Sequence, residues 1–301
     1  MLTHRLATPT PPARVVVCGA SGFVGGSLMH HLASRHVPTL GVGSAQLNLC
    51  APGASGQLAQ MVKPADAVVI ISALTPDKGK DTGTLMNNLE MGRQLGAWLA
   101  TSSCAHVVYI SSDAVYADDA NPVRETSPVN PATGHGLMHL VRERMLTQAG
   151  VASGTPLAIL RPCALYGPGD THQAYGPNRF LRSAVRERTI TLIGQGEERR
   201  DHVYIEDLSQ LVGLCLERRS EGIVNVATGR SVSFAAVAER VASCCECAIR
   251  TIPRRAPVTH RHMDISGLIR AFPMFRLTPL AEGLAQTLAS LAEPSVTSHL
   301  I

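Results

Sequence analysis

Apolar residues follow two alternating patterns along this chain. Short, β-branched runs without polar alternation stand at 14–20, 37–43, 66–74, 106–112 and 156–162. Between them, at 23–35, 84–102 and 136–150, apolar positions return every three to four residues. The first pattern belongs to strands buried on both faces, the second to helices. Their alternation predicts an α/β fold, a doubly wound parallel sheet with helices on both faces.

Past residue 163 the rhythm changes. "YGPGD" and "AYGPN" are turn-rich, and helices are predicted at 178–187, 206–218, 233–244 and 277–291. The stretch 222–229 reads as a late strand and loop. We therefore expect a first domain over 14–166, to which the chain returns around 200–228. A smaller lobe would be built from 167–199 and 229–292. Residues 1–13, rich in Thr and Pro, read as a disordered tail, and 293–301 as a second tail.

Composition narrows the function classes. With 301 residues, the chain can bury one large core and a smaller attached one. The net charge is only +4, and arginine pairs at 199–200, 218–219 and 254–255 stand alone, so nucleic-acid binding has no support. The longest apolar runs are strand-length, which predicts no membrane span. Eight cysteines lack framework spacing, and "MLTHRLATPTPPA" has no apolar leader, so a reduced, cytoplasmic setting is expected. "CCEC" at 244–247 lacks a partner cluster and reads as thiols in a helix rather than a metal site.

The segment "VVVCGASGFVGGSL" (15–28) joins the first strand to the first helix. Gly19, Gly22 and Gly25 let the backbone turn tightly and approach a pyrophosphate. The helix behind them offers free N–H groups and a positive dipole end. In this strand–turn–helix context the pattern predicts a dinucleotide site formed by Gly19, Ser21, Gly22, Phe23, Val24 and Gly25, with Ala73 at the end of the third strand. The second strand ends on Gly43-Ser44, without an acid for a ribose or a cation for a 2′-phosphate, so NAD and NADP both remain open. Asn48 is placed toward the adenine.

His135 and His139 lie four residues apart on a predicted helix, and Glu143 lies one turn further on. All three would share a face, a spacing that suits zinc. Gly136, however, stands where a zinc helix would carry its catalytic acid.

Several motifs in order resemble the extended short-chain dehydrogenase/reductase family, the NAD-dependent epimerase/dehydratase proteins. "CGASGFVGGSL" is similar to the family's opening loop, and "VVYISSDAVYAD" to its "SSxxVYG" strand end. "LRPCALYGPGD", "GQGEERRDHVYIEDL", "NVATG" and "TPLAEGLAQTL" resemble its later segments. The likeness spans roughly residues 14 to 291. It implies nicotinamide chemistry on a nucleotide-linked sugar and a homodimer through the helices at 84–102 and 136–150.

The family's Ser/Thr falls on Ser112, four residues before Tyr116. Its Tyr-x-x-x-Lys pair falls on His135 and His139, and Glu143 takes the place of a helix glutamate. Both usual groups are replaced. One reading keeps the chemistry, because an imidazole exchanges protons near neutral pH. His135 then handles the proton with Ser112, directly or through a water, and His139 faces the cofactor ribose. The other reading is a catalytically inert binding protein of the same fold. Tyr116 and Tyr166 are possible substitutes outside the family position. Asp113 sits where sugar dehydratases carry an acid, but Ala114 replaces the adjacent base, so elimination chemistry is disfavoured. By resemblance, Asn178, Arg200 and Arg255 would contact the substrate diphosphate, a task suited to guanidinium forks.

Overall fold

The computed structural model describes residues 1–292, apart from 102, 119, 171, 173 and 174. In chain order the strands are β1 (Thr3–His4), β2 (Val15–Cys18), β3 (Thr39–Val42), β4 (Ala67–Ile70), β5 (His106–Ile110), β6 (Leu157–Pro162), β7 (Ala164–Tyr166), β8 (Thr189–Ile193), β9 (Arg199–Arg200), β10 (His202–Tyr204), β11 (Ser220–Val226), β12 (Val232–Ser233) and β13 (Ala248–Ile252). The helices are α1 (Phe23–Ser34), α2 (Ala54–Met61), α3 (Thr82–Thr101), α4 (Gly134–Ser153), α5 (Pro177–Glu187), α6 (Ile205–Arg218), α7 (Phe234–Cys245), α8 (Ser266–Ala271) and α9 (Leu280–Ala292).

The main sheet has the order β1-β11-β6-β5-β4-β2-β3. All its pairings are parallel except β1 with β11. Alternate residues of each strand feed opposite faces. Val15, Val17, Val69 and Val108 pack with Leu28 and Leu32 of α1 and Leu208 and Leu211 of α6. Val16, Val68 and Val107 pack with Leu58 of α2, Leu95, Trp98 and Leu99 of α3 and Leu146 of α4. This two-sided burial is why the strands carry no polar alternation. A separate core of Phe180, Leu181, Ile190, Leu192, Phe234 and Val237 holds the lobe formed by α5, α7, β8 and β13.

The N-terminal segment differs from expectation. Instead of a free tail over 1–13, Thr3 and His4 pair with Glu221 and Ser220 at the sheet edge. Leu2 is buried, and the His4 ring bridges Ser220 Oγ and the Ala271 carbonyl, both at 2.9 Å. Threonine and proline content hid this, because edge pairing needs only backbone groups and one apolar anchor. The expected tail at 293–301 lies outside the described residues.

The chain leaves β2 toward β3 on one side and returns to β4 on the other. The carboxyl ends of β2 and β4 are therefore a topological switch point, the usual place for a ligand in such sheets. Among the described residues, no helix is long and apolar enough to cross a membrane.

Candidate active site

The glycine loop sits at that switch point. Gly19 has φ +98°, and a methyl on it would lie 2.7 Å from the Ser72 nitrogen. A methyl on Gly25 would collide with the Gly19 carbonyl and lie 2.8 Å from the Ala20 Cα. Both glycines let the turn fold against β4 and α1. Gly22 is the N-cap of α1, with no side chain capping the helix and only the Gly19 carbonyl near its missing Cβ. The first-turn N–H groups thus remain free for an anion, as a pyrophosphate cradle requires. Ser72 Oγ, beside Gly19, is buried without a partner among the described residues. Ala73 follows it, half-buried. Asn88 of α3 braces this loop by pairing with both the N–H and the carbonyl of Leu74. Asn48 is exposed and accepts from the Cys50 N–H at 3.0 Å.

Ser112 ends the segment after β5. Its Oγ accepts from the Ala114 N–H at 3.1 Å and caps the short turn Asp113–Val115. Arg261 holds that turn from the lobe side, donating to the Asp113 carbonyl at 2.6 Å and to Asp118 at 3.0 Å. Thr133 caps α4 by accepting from the Gly136 N–H. Gly136 packs its bare Cα on the Ala114 carbonyl, where any side chain would clash. The α4 start, carrying His135, is therefore pressed against the turn that carries Ser112.

The two histidine rings meet edge to face, 4.6 Å between centroids. His139 is buried, and its Nδ1 lies 2.7 Å from Tyr109 Oη. Burial, followed by the positive field of His135 and Arg142, lowers its pKa well below the usual imidazole value. Burial, then His172, lowers that of His135. Both rings are thus neutral at pH 7, with a lone pair in place of a second proton.

Glu143 does not join them. Its carboxylate accepts from Arg161 at 2.9 and 2.6 Å and from Ser111 Oγ at 2.5 Å. Arg161 also donates to Tyr116 Oη at 2.8 Å, and Tyr116 donates to Asn225 at 2.6 Å. This buried network consumes Glu143, the third ligand that a metal reading with His135 and His139 would need. Among the described residues no set of three His, Cys, Asp or Glu side chains can share a metal ion. Tyr116 belongs to the same network, and burial pushes its phenol up to about 12. Tyr166 is buried against Gly283 in the lobe. Neither phenol is placed to replace the family tyrosine.

On the lobe side, Arg200 donates to the Thr259 carbonyl at 2.5 Å and to its hydroxyl at 2.9 Å. Asn178 holds Gly167 through both its N–H and carbonyl and donates to Asp170 at 2.7 Å. Arg255 is exposed, whereas its neighbour Arg254 ties Glu198, Glu197 and the Ile193 carbonyl together. Sequence reasoning missed Tyr109, Arg142, Arg254 and Arg261. Each acts through a contact distant in sequence, so local pattern carries no trace of it.

A glycine-rich strand–turn–helix at the switch point of a doubly wound sheet defines a nucleotide-binding α/β architecture. The chain belongs to the NAD dependent epimerase/dehydratase family, which it matches over residues 15–227. It is 28% identical over 243 residues to the GDP-6-deoxy-D-mannose reductase of Pseudomonas aeruginosa, covering 76% of this chain and 79% of that protein. Against the uncharacterized UDP-glucose epimerase YtcB of Bacillus subtilis it is 28% identical over 101 residues, 33% of this chain and 31% of that one. The fold is shared with the Thermus thermophilus UDP-glucose 4-epimerase solved with NAD. That superposition has a TM-score of 0.80 at 20% identity and covers 92% of this chain and 98% of the other.

Proposed function

We propose that the protein is an NAD(P)-dependent epimerase or reductase acting on a nucleotide-linked sugar, with a Ser112/His135/His139 site. The observation that carries this reading is the packing of Gly136 on Ala114, which presses the His135 turn against the Ser112 turn. Relatives named for UDP- and GDP-sugar chemistry support the substrate class. The open helix terminus behind Gly19, Gly22 and Gly25 fits a dinucleotide pyrophosphate. Bound there, the nicotinamide would accept or return a hydride.

The chain's residues supply the rest. In the oxidising direction the sugar C–H leaves as hydride while the O–H proton passes to His135, and a carbonyl forms. Ser112 Oγ–H donates to that oxygen. Neutral His135 suits this first step. In an epimerase, the proton then held on the imidazole returns when the carbonyl is reduced from its other face. His139 faces the cofactor ribose. Arg200 and Arg255 are assigned to the diphosphate side and α3 with α4 to a homodimer contact, whereas Asn178, expected beside those arginines, already spends both amide hydrogens on Gly167 and Asp170.

The test combines binding and turnover. Purified protein is titrated with NAD and NADP, then with a nucleotide-sugar panel, while nicotinamide absorbance is followed. Reduction or oxidation of the nicotinamide with at least one sugar is expected. Dinucleotide binding with neither a redox change nor an epimerised sugar across the panel would instead establish the inert binding protein. That second reading draws on one observation, the engagement of His139 Nδ1 by Tyr109.

A further inference from the structure

We propose that Tyr109 is a positioning residue that holds His139 as its neutral Nε2–H tautomer. His139 can then only donate toward a bound dinucleotide; the partner of that proton, but not the tautomer, rests on the functional reading above.

Tyr109 lies on β5 with its side chain buried. Its Oη lies 2.7 Å from His139 Nδ1 and has no other hydrogen-bond partner among the described residues. Two proton arrangements fit that distance. In one, the phenol donates to an unprotonated Nδ1. In the other, Nδ1–H donates to the phenol oxygen, and the phenol proton is left buried without an acceptor. A buried donor without a partner is costly, and a phenol is a better donor to imidazole than the reverse. Burial also keeps the phenol protonated by raising its pKa. The first arrangement wins, and it puts the single imidazole proton on Nε2.

Arg142 reinforces it from behind. Its side chain is fully buried, with the guanidinium 5.3 Å from the Tyr109 ring centroid. Among the described residues its Nε and Nη2 have no partner, and Nη1 reaches only Met138 Sδ at 3.7 Å. The chain makes room for it: a methyl at Gly92 of α3 would lie 2.7 Å from Arg142 Cγ. A second proton on His139 would put a second uncompensated positive charge beside this one. Arg142 and Tyr109 together thus hold the imidazole neutral and fix which nitrogen is protonated.

The experiment is long-range nitrogen NMR of the imidazoles in the labelled full chain, near neutral pH and without nucleotide. His139 signals are assigned by their loss in His139→Gln. The expected result is a protonated Nε2 and an unprotonated Nδ1 in the native protein, and averaging of both tautomers in Tyr109→Phe. A protonated Nδ1 in the native chain, which needs no variant to observe, would overturn the proposal. So would an unchanged tautomer in Tyr109→Phe. Dinucleotide affinity of Tyr109→Phe should fall about fivefold. Unchanged affinity would overturn the link to the dinucleotide. A native chain that binds no dinucleotide would refute the functional reading while the tautomer result stood.

Discussion

Gly136 rests its Cα against the Ala114 carbonyl so closely that no side chain fits between them. This contact sets the separation of the α4 start from the Ser112 turn. Gly136→Ala should cost about 1–3 kcal/mol through overpacking, although alanine favours helices. Denaturant unfolding reads the loss, and any turnover should fall with it because His135 moves away from Ser112.

Two arginines buried against the same sheet should respond oppositely to removal. Arg161 neutralises Glu143 in a bidentate pair, and Arg161→Met strands a buried carboxylate at a cost of about 3–5 kcal/mol. Arg142 has no carboxylate partner among the described residues. Arg142→Met should be neutral or stabilising by about 1–2 kcal/mol. Parallel unfolding curves of the two variants check the contrast.

Stability should fall in mild acid because of buried histidines. Burial pushes His202 down to about 4, and both its ring nitrogens lack partners among the described residues. In the unfolded chain it protonates near 6.5. As pH drops, the unfolded state takes the proton first and native stability declines from about pH 6.5 to about pH 4, by up to roughly 3 kcal/mol. His202→Phe, beside Phe234, should remove this part of the slope. Unfolding free energies of both proteins at neutral and mildly acid pH would show the gap widening as pH falls.

The apolar runs at 14–20, 66–74 and 106–112 were legible because strands buried on both faces leave an unbroken signal, and they became β2, β4 and β5. Helix α2 was not, since "ASGQLAQM" buries only Ala54 and Leu58 and has glycine before it. The candidate site was legible where it is local. The glycine loop and the spacing of Ser112, His135 and His139 can be read along the chain. The supports cannot. Tyr109 reads as one more strand residue and Arg142 as one more helix charge until the fold sets them beside His139. Arg261 comes from 148 positions beyond Asp113.

The glycine loop offers a matched pair of substitutions. A methyl on Gly25 strikes the Gly19 carbonyl, whereas one on Gly26 meets nothing within 4 Å. Gly25→Ala should abolish dinucleotide binding. Gly26→Ala should retain it and gain about 0.5–1 kcal/mol of stability from helix propensity. Dinucleotide titration with thermal unfolding separates the two outcomes.

In the proposed chemistry, His135 takes the proton that the usual tyrosine takes. The most direct measurement is single-turnover nicotinamide reduction by a nucleotide sugar that the native chain oxidises, compared between native and His135→Phe protein across pH. Native reduction should stay high at pH 7 and fall on acidification, as His135 protonates below its ordinary value. His135→Phe should lose at least about a hundredfold in rate, the usual worth of a positioned general base, while still binding dinucleotide. A His135→Phe protein that reduces nicotinamide at the native rate would contradict the account.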